Sequence, residues 1–352
     1  MKRNMGILLL TFLLLSVFTG PVVLAQEVSL ESGGASFPYP LYSKWMDVYT
    51  EDNDVKIDYQ SIGSGGGING IIDGTFDYAG SDAPMKDEEM AEAPGEIMHI
   101  PTVMGAVTIS YNLPEVEEHI KLTSENIADI YLGKITRWND EEIQKNNPDL
   151  DLPDRYIVVV RRSDGSGTTN AFTDYLAKVS SEWEDTVGYG KAVQWPTGLG
   201  AKGNEGVAGQ VKQNPGAIGY VELAYAIEND LPTAQVQNKE GKFVEPSLET
   251  TTGAAAGAVE DMPEDMRVSI TNQPGEDAWP IATFTYLLVY KEYEDREKAE
   301  EMIDYIWWAV SEGQDYARDL LYAPLPDNLL DQVKGKLESI TVDGEPVRPE
   351  LD

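Results

Sequence analysis

The 352-residue sequence contains no cysteine and only two histidines, His99 and His119. The absence of cysteine excludes disulfide bonds, thiolate metal sites and a cysteine nucleophile. Two histidines are too few for a zinc site with three histidine ligands. Basic residues are also scarce: 26 Lys and Arg stand against 61 Asp and Glu, which gives a net charge of −35. Nucleic acid and anionic membrane surfaces are therefore excluded as partners, because binding them requires Lys and Arg.

The acidic residues are spread over the whole chain, for instance in residues 86–89 and 292–295. Such a bias is typical of adaptation to high salt, where screening weakens the repulsion between like charges. The alternative is that each acidic run is simply the solvated face of an ordinary helix. A hydrophobic content of 41% nevertheless indicates a folded globular protein, and the length suggests about two domains.

Long apolar runs are missing after the first 25 residues, and those 25 residues have the three parts of a secretory signal peptide. Lys2 and Arg3 precede an apolar run at 6–18, and a small-residue cleavage site ends at Ala25. The apolar run is shorter than the ~20 residues of a membrane-spanning helix. We therefore expect cleavage after Ala25 and a soluble periplasmic or otherwise extracytoplasmic protein. An uncleaved membrane anchor is the alternative.

Short β-branched or aromatic runs alternate with amphipathic helical stretches along the rest of the chain, which predicts an α/β architecture. The predicted strands are residues 55–59, 106–111 and 156–160, and the predicted helices are 41–49, 123–132, 168–179 and 294–310. The glycine-rich residues 251–257 are predicted to be a loop.

Three turns rich in glycine and hydroxyl residues stand just before predicted helices. They are residues 33–40 (GGASFPYP), 61–67 (SIGSGGG) and 161–169 (RRSDGSGTT). Free backbone N–H groups and the helix dipole make a helix N-terminus an anion site, and Arg162 would add a charged fork of donors. Taken singly, Ser36 and Ser64 could be plain helix caps, and Asp164 could form a surface ion pair with Arg162. The three turns together predict a site for a small tetrahedral oxyanion.

Other motifs match less well. Residues 65–70 fit the dinucleotide pattern G-x-G-x-x-G, but its acidic partner is not distinctive in a chain this acidic, and export argues against a nicotinamide cofactor. Ser166 lacks the glycine two positions earlier that a nucleophile elbow requires.

Several segments resemble the phosphate-binding protein of the phosphate-specific ABC importer, in the order of that family. The most specific are residues 34–38 (GASFP), 62–67 (IGSGGG), 79–84 (AGSDAP) and 161–168 (RRSDGSGT). Supporting matches are residues 129–135, 216–222, 275–280 and 322–326. Together they extend from about residue 31 to residue 333, which is nearly all of the predicted mature chain.

The resemblance implies an α/β, two-lobed periplasmic-binding-protein fold of type II, with a two-segment hinge and a ligand cleft between the lobes. We expect residues 1–25 to be the signal peptide, 26–103 with 283–352 to form lobe I, and 104–282 to form lobe II. The implied function is capture of inorganic phosphate and its delivery to the membrane permease subunits of the importer. It implies no enzymatic activity, no cofactor and no metal, and we expect a monomer.

The resemblance also assigns the ligand contacts. The implied phosphate-binding residues are Ser36, Phe37 through its backbone, Ser64, Asp82, Arg162, Ser166, Gly167 and Thr168, and Asp164 is implied to hold Arg162 in place. Ser36 replaces the threonine that is common in the family, and residues 64–67 (SGGG) depart from the more usual Ser-Ser-Gly-Gly.

An acid in an anion pocket would select for a protonated ligand. Phosphate keeps at least one proton near neutral pH, because its last proton ionises only far above neutral pH, and that hydrogen can be donated to Asp82 in a charge-assisted hydrogen bond. Sulfate has no such proton and would leave the buried carboxylate without a partner. The alternative role for Asp82 is to cap a helix. The alternative functions of the protein are a receptor for sulfate, molybdate or tungstate, and a secreted phosphatase that uses Ser64 or Ser166.

Overall fold

The computed structural model describes residues 28–351. The predicted signal peptide, residues 1–25, lies outside the described residues. Within them, no helix has the length and apolar character needed to cross a membrane.

Strands and helices alternate along most of the described chain, which confirms the predicted α/β class. The first part of the chain forms β1 (Val28–Gly34), α1 (Tyr39–Asp52), β2 (Val55–Ser61), α2 (Ser64–Ile72), β3 (Tyr78–Ser81), α3 (Asp87–Glu92) and β4 (Ile97–Tyr111). The middle part forms β5 (Lys121–Leu122), α4 (Ser124–Tyr131), α5 (Glu141–Gln144), β6 (Val158–Arg162), α6 (Gly167–Val179), α7 (Ser181–Thr186), β7 (Leu199–Ala201), α8 (Gly203–Gln213), β8 (Ala217–Glu222), α9 (Leu223–Glu228), β9 (Gln235–Gln237), β10 (Phe243–Val244) and α10 (Leu248–Glu260). The last part forms β11 (Ala282–Tyr290), β12 (Glu292–Tyr293), α11 (Arg296–Val310), α12 (Gln314–Asp319), β13 (Ala323–Pro324), α13 (Asp327–Glu338), β14 (Thr341–Val342) and β15 (Glu345–Pro346).

The main sheet has the strand order β2-β1-β3-β11-β4-β8-β6-β7, and β13 adds to β4. Two parallel groups, β2-β1-β3 and β8-β6-β7, flank the antiparallel pair β11 and β4. We call the side of the sheet that contains β1 the first half, and the side that contains β6 the second half.

Strand β4 belongs to both halves. Its residues 97–106 pair with β11, and its residues 107–111 pair with β8, so that the partner changes between Ala106 and Val107. The chain returns beside this point, where the Val107 N–H donates to the Ile281 carbonyl at 2.8 Å. Two adjacent segments therefore pass from one half to the other.

Buried tryptophans fix each half. Trp45 of α1 donates from Nε1 to the Gly313 carbonyl at 2.6 Å, which ties the last part of the chain to the first half. Trp138 donates to the Gly216 carbonyl at 2.9 Å within the second half, and Trp279 donates to the Val107 carbonyl at 3.1 Å at the crossing. Each indole thus combines apolar burial with a satisfied N–H group.

The prediction of a loop at residues 251–257 is wrong, because these residues lie within α10. Ser247 caps this helix by accepting from the Thr250 N–H at 3.2 Å, and Ala254 and Ala255 are buried against the core. Alanine has the highest helix propensity, and here it outweighs the two glycines of the segment.

Candidate anion-binding site

The predicted site residues lie where parallel strands end and helices begin, at one edge of the sheet. Strands β1 and β2 supply turns from the first half, and β6 and β7 supply turns from the second half. The turns from the two halves touch. The Gly65 N–H donates to the Gly165 carbonyl at 2.9 Å, and the Gly167 N–H donates to Ser64 Oγ at 3.0 Å. Ligand clefts of α/β sheets commonly form at such carboxyl edges.

Ser36 is buried at the end of the first turn and does not cap α1, since Pro38 precedes that helix without a capping side chain. Its Oγ instead accepts from Asn204 of the second half. The Ser36 carbonyl accepts from Tyr225 Oη at 2.6 Å, and the Phe37 carbonyl accepts from Tyr322 Oη at 2.7 Å. These two bonds fix the backbone of the turn.

Ser64 begins α2, and its hydroxyl contacts Asp82, which follows β3. Ser64 Oγ accepts from the Asp82 N–H at 3.2 Å and lies 3.4 Å from Asp82 Oδ2. Thr285 Oγ1 donates to Asp82 Oδ1 at 2.9 Å. Burial raises the pKa of Asp82 to about 7, against the opposing effects of the Thr285 bond, the Arg162 charge and the Ser64 bond. Asp82 is therefore a buried acceptor that contacts hydroxyl groups of the first half.

Arg162 is buried at the end of β6 and is held by Asp164 through a two-point ion pair. Arg162 Nε lies 2.8 Å from Asp164 Oδ1, and Nη2 lies 2.5 Å from Oδ2. Burial acts to raise the pKa of Asp164, but the bonds to Arg162 outweigh it and the pKa lies below its usual value. The remaining nitrogen, Nη1, approaches Thr168 Oγ1 at 3.4 Å.

Helix α6 directs its N-terminus at the same place. Ser166 caps the helix by accepting from the Thr169 N–H at 3.0 Å. A Cβ atom at Gly167 would lie 2.6 Å from Ser64 Oγ and from Asp82 Oδ2. Glycine is therefore required at 167, because the helix approaches the first half this closely.

Two contacting residues were not predicted from the sequence. Asn204 is fully buried in the first turn of α8, and Thr285 is fully buried in β11. Residues 200–203 (GAKG) form a fourth glycine-containing turn between a strand and a helix, a signal that could have indicated Asn204. Thr285 has no local signal, since it reaches Asp82 only through the pairing of β11 with β3.

The chemistry of the site suits an oxyanion. The guanidinium of Arg162, the N-terminus of α6 and the hydroxyl groups offer donors, while Asp82 offers one acceptor. Within residues 28–351, no group of three or more His, Asp or Glu side chains has the arrangement of a metal site.

Comparison with known proteins supports the fold and the family. A family model described as the PBP superfamily domain matches residues 23–312. The phosphate-binding protein PstS of Pasteurella multocida is 44% identical over 336 residues, which cover 95% of this chain and 97% of that protein.

Two solved structures have the same fold. The structure of the high-affinity periplasmic phosphate-binding protein PfluDING bound with phosphate matches with a TM-score of 0.71 at 21% identity, covering 88% of this chain and 93% of that chain. An ABC-type phosphate transport receptor from Vibrio cholerae matches with a TM-score of 0.54 at 17% identity, covering 84% and 100%. These matches confirm the predicted two-lobed periplasmic-binding-protein fold. The chain belongs to the PBP superfamily and, within it, to the PstS family of phosphate-binding proteins.

Proposed function

We propose that the protein captures inorganic phosphate in the cleft between its two halves and delivers it to the permease subunits of a phosphate ABC importer. The observation that carries this proposal is the meeting of buried donor groups from both halves around the buried acid Asp82. The PstS relatives and the phosphate-bound structure of the same fold support it.

We assign the phosphate contacts as the sequence predicted them. Ser36, Ser64, Arg162, Ser166 and Thr168 contact phosphate through their side chains, and Phe37 and Gly167 contact it through the backbone. Asp82 accepts a hydrogen bond from the proton that phosphate retains, and Asp164 holds the guanidinium of Arg162. A ligand that supplies this proton turns a repulsive carboxylate into a charge-assisted bond, whereas sulfate leaves the acceptor without a partner.

We further propose that residues 26–103 with 283–352 form lobe I, that residues 104–282 form lobe II, and that the segments near Val107 and Ile281 are the hinge. These segments run side by side between the halves. Closure would bring the turns of β1 and β2 onto those of β6 and β7. Small-angle scattering should then show a smaller radius of gyration after phosphate is added.

The hydrogen bonds of Ser64 and Ser166 favour a role in binding over a role in catalysis. Ser64 Oγ accepts from the N–H groups of both Asp82 and Gly167, which occupies the lone pairs that a nucleophile needs. Ser166 Oγ is engaged in capping α6. We therefore infer that the protein is not a phosphatase, and turnover of a chromogenic phosphate ester by the pure protein would contradict this.

We propose that the protein acts outside the cytoplasm as a monomer, after removal of residues 1–25. Mass spectrometry of the exported chain and its elution volume in size-exclusion chromatography test these two points.

Calorimetry with phosphate, sulfate, molybdate and tungstate at a single pH tests the function. We expect tight binding of phosphate and none of the proton-free oxyanions. Sulfate binding as tight as phosphate binding would overturn the assignment of the ligand.

A further inference from the structure

Asn204 connects the two halves within the site. Its Nδ2 donates to Ser36 Oγ at 3.0 Å and to Thr168 Oγ1 at 3.2 Å, and its backbone N–H donates to Ser36 Oγ at 3.2 Å. Ser36 follows β1 in the first half, whereas Asn204 and Thr168 belong to the second half. All three side chains are buried.

The orientation of the Asn204 amide is fixed by its other end. Asn204 Oδ1 accepts from the Glu222 N–H at 3.0 Å. A backbone N–H can only donate, so the group that faces it must be the carbonyl oxygen of the amide. The NH₂ group is therefore directed at the two hydroxyls, and the reverse orientation would place two donors against each other.

This orientation decides what the two hydroxyls can do. A hydroxyl has two acceptor lone pairs and one hydrogen to donate. Ser36 Oγ accepts twice from Asn204, and Thr168 Oγ1 accepts from Asn204 and from Arg162 Nη1 at 3.4 Å. Among the hydrogen bonds of residues 28–351, neither hydroxyl donates to a protein acceptor. Both hydrogens are thus left for a ligand, and only a ligand that accepts can use them.

We propose that Asn204 is a positioning residue for anion recognition, which forces the hydroxyls of Ser36 and Thr168 to act as donors toward the bound phosphate. This inference rests on the proposed function. Because Ser36 and Asn204 come from different halves, the device is assembled only when the halves meet. Asn204 thereby links the donor character of the site to its closure.

The substitution Asn204→Asp tests this role with almost no change in shape. Its carboxylate would accept from the two hydroxyls and turn their hydrogens away from the ligand. We expect the affinity for inorganic phosphate, measured by calorimetry, to fall about a hundredfold at pH 8. When the introduced acid is protonated it can again donate to a hydroxyl, so the loss relative to the unmodified protein should shrink below about tenfold at pH 5.

The dependence on pH separates positioning from a structural role. Arg162 and Asp164 near this position keep their charges between pH 5 and pH 8, because the pKa of Arg162 lies above its usual value and that of Asp164 below it. Asp82, Glu222 and the phosphate itself are present in both proteins, so their effect cancels in the ratio of dissociation constants. A ratio that stays constant from pH 5 to pH 8, or a loss below about threefold at pH 8, would overturn the proposal.

A matched control replaces a buried amide of the same half at a distance from the site. Asn126→Asp makes the same chemical change at a residue that is 4% exposed, where the amide oxygen accepts from the Thr123 N–H in the capping box of α4. We expect it to lower the melting temperature and to leave phosphate affinity within about twofold at every pH.

Two further outcomes are distinguishable. If Asn204→Asp does not fold, Asn204→Ala removes the amide without adding a charge, and it should lose about tenfold in affinity at every pH; an unchanged affinity would overturn the proposal. If the unmodified protein itself binds no phosphate, the proposed function fails instead.

Discussion

Asp82 is a buried acid that lies among the donor groups of the candidate anion site. The carboxyl group is nearly inaccessible to water, and hydroxyl groups of Ser64 and Thr285 face its two oxygens. In the proposed function, this carboxylate distinguishes a tetrahedral ligand that carries a hydrogen from one that does not. The capping alternative for Asp82 is not what the structure shows, because α3 begins five residues later, at Asp87.

We expect Asp82→Asn to relax the discrimination against sulfate. The amide can donate to a proton-free oxygen, so that sulfate no longer leaves a buried charge without a partner. Competition binding should then detect sulfate at concentrations that leave the unmodified protein unaffected. Unchanged selectivity would contradict the role given to this carboxylate.

The same carboxylate makes the phosphate-free protein less stable as pH rises. Its pKa is raised by burial from 3.8 to about 7, so between these values the folded protein holds a proton that the unfolded chain has released. The resulting stabilisation is complete below the lower value and is lost as pH rises to the higher one, at about 1.4 kcal/mol per pH unit and ~4 kcal/mol in all.

We therefore expect urea denaturation to find phosphate-free Asp82→Asn more stable than the unmodified protein at pH 8, and of similar stability at pH 4. Burial also raises the pKa of Glu222, and this adds a slope of the same sign to both proteins. A difference in stability that does not vary with pH would count against the raised pKa of Asp82.

The sequence reveals residues of this site that stand in short motifs. Ser36, Asp82 and Arg162 each occupy a recognisable turn, and the structure brings these turns together. Thr285 could not be found in this way, because its part depends on which strands pair. The role of the Asn204 amide depends on its orientation, which is fixed by the bond from the Glu222 N–H, 18 positions further along the chain.

At the scale of elements, the site consists of helix N-termini that lie close together. Helix α6 approaches the first half so closely that Gly167 leaves no space for a side chain. Sequence periodicity correctly predicts that a helix follows β6, but it cannot give this distance. The glycines of α10 led to the wrong prediction of a loop. The cap at Ser247 and the packing of Ala254 and Ala255 make this segment a helix.

We expect Gly167→Ala to lower phosphate affinity at least about tenfold, because its Cβ would push α6 away from Ser64 and Asp82. Gly209→Ala is the matched control, since a Cβ at this position in α8 meets nothing within 4 Å. This control should gain about 0.5–1 kcal/mol of stability and keep its affinity. Calorimetry and thermal unfolding of both variants measure the two effects. Equal affinities would show that the close approach does not matter.

An ion pair also joins the two halves next to the candidate site. Lys191 of the second half pairs with Glu89 of α3 at 2.5 Å, and both side chains are largely buried, at 16% and 26% exposure. Its backbone carbonyl also accepts from the Ser166 N–H at 2.9 Å.

We expect Lys191→Ala to raise the dissociation constant for phosphate about three- to fivefold, mainly through faster release, because a partly shielded ion pair contributes about 1 kcal/mol. Lys145→Ala removes the exposed pair with Glu142 inside the second half and should change nothing. Stopped-flow measurements of release distinguish the two variants, and identical release rates would exclude a contribution of this pair to closure.

At the scale of the whole molecule, the net charge of −35 acts on every step. The surface repels itself and any approaching anion, so binding relies on groups inside the cleft. Composition alone predicts this repulsion, but it does not predict where the few basic residues lie in the fold. Arg162 is the guanidinium committed to the site, and it is hidden from the solvent.

We expect the free energy of unfolding of the phosphate-free protein to increase as KCl is raised from about 0.05 to 0.5 M, because the screening length then falls below ~10 Å. Chemical denaturation at each salt concentration measures this. Stability that is independent of ionic strength would contradict adaptation to high salt.

Strand β4 has one more consequence. Because β4 supplies hydrogen bonds to both halves, loss of this strand removes pairing from both halves at once. Melting is therefore expected to be cooperative across the entire chain. A phosphate ion bound at the carboxyl edge of the sheet then also stabilises residues well outside the cleft against unfolding. Its binding stabilises the folded state of the whole cooperative unit, which β4 connects.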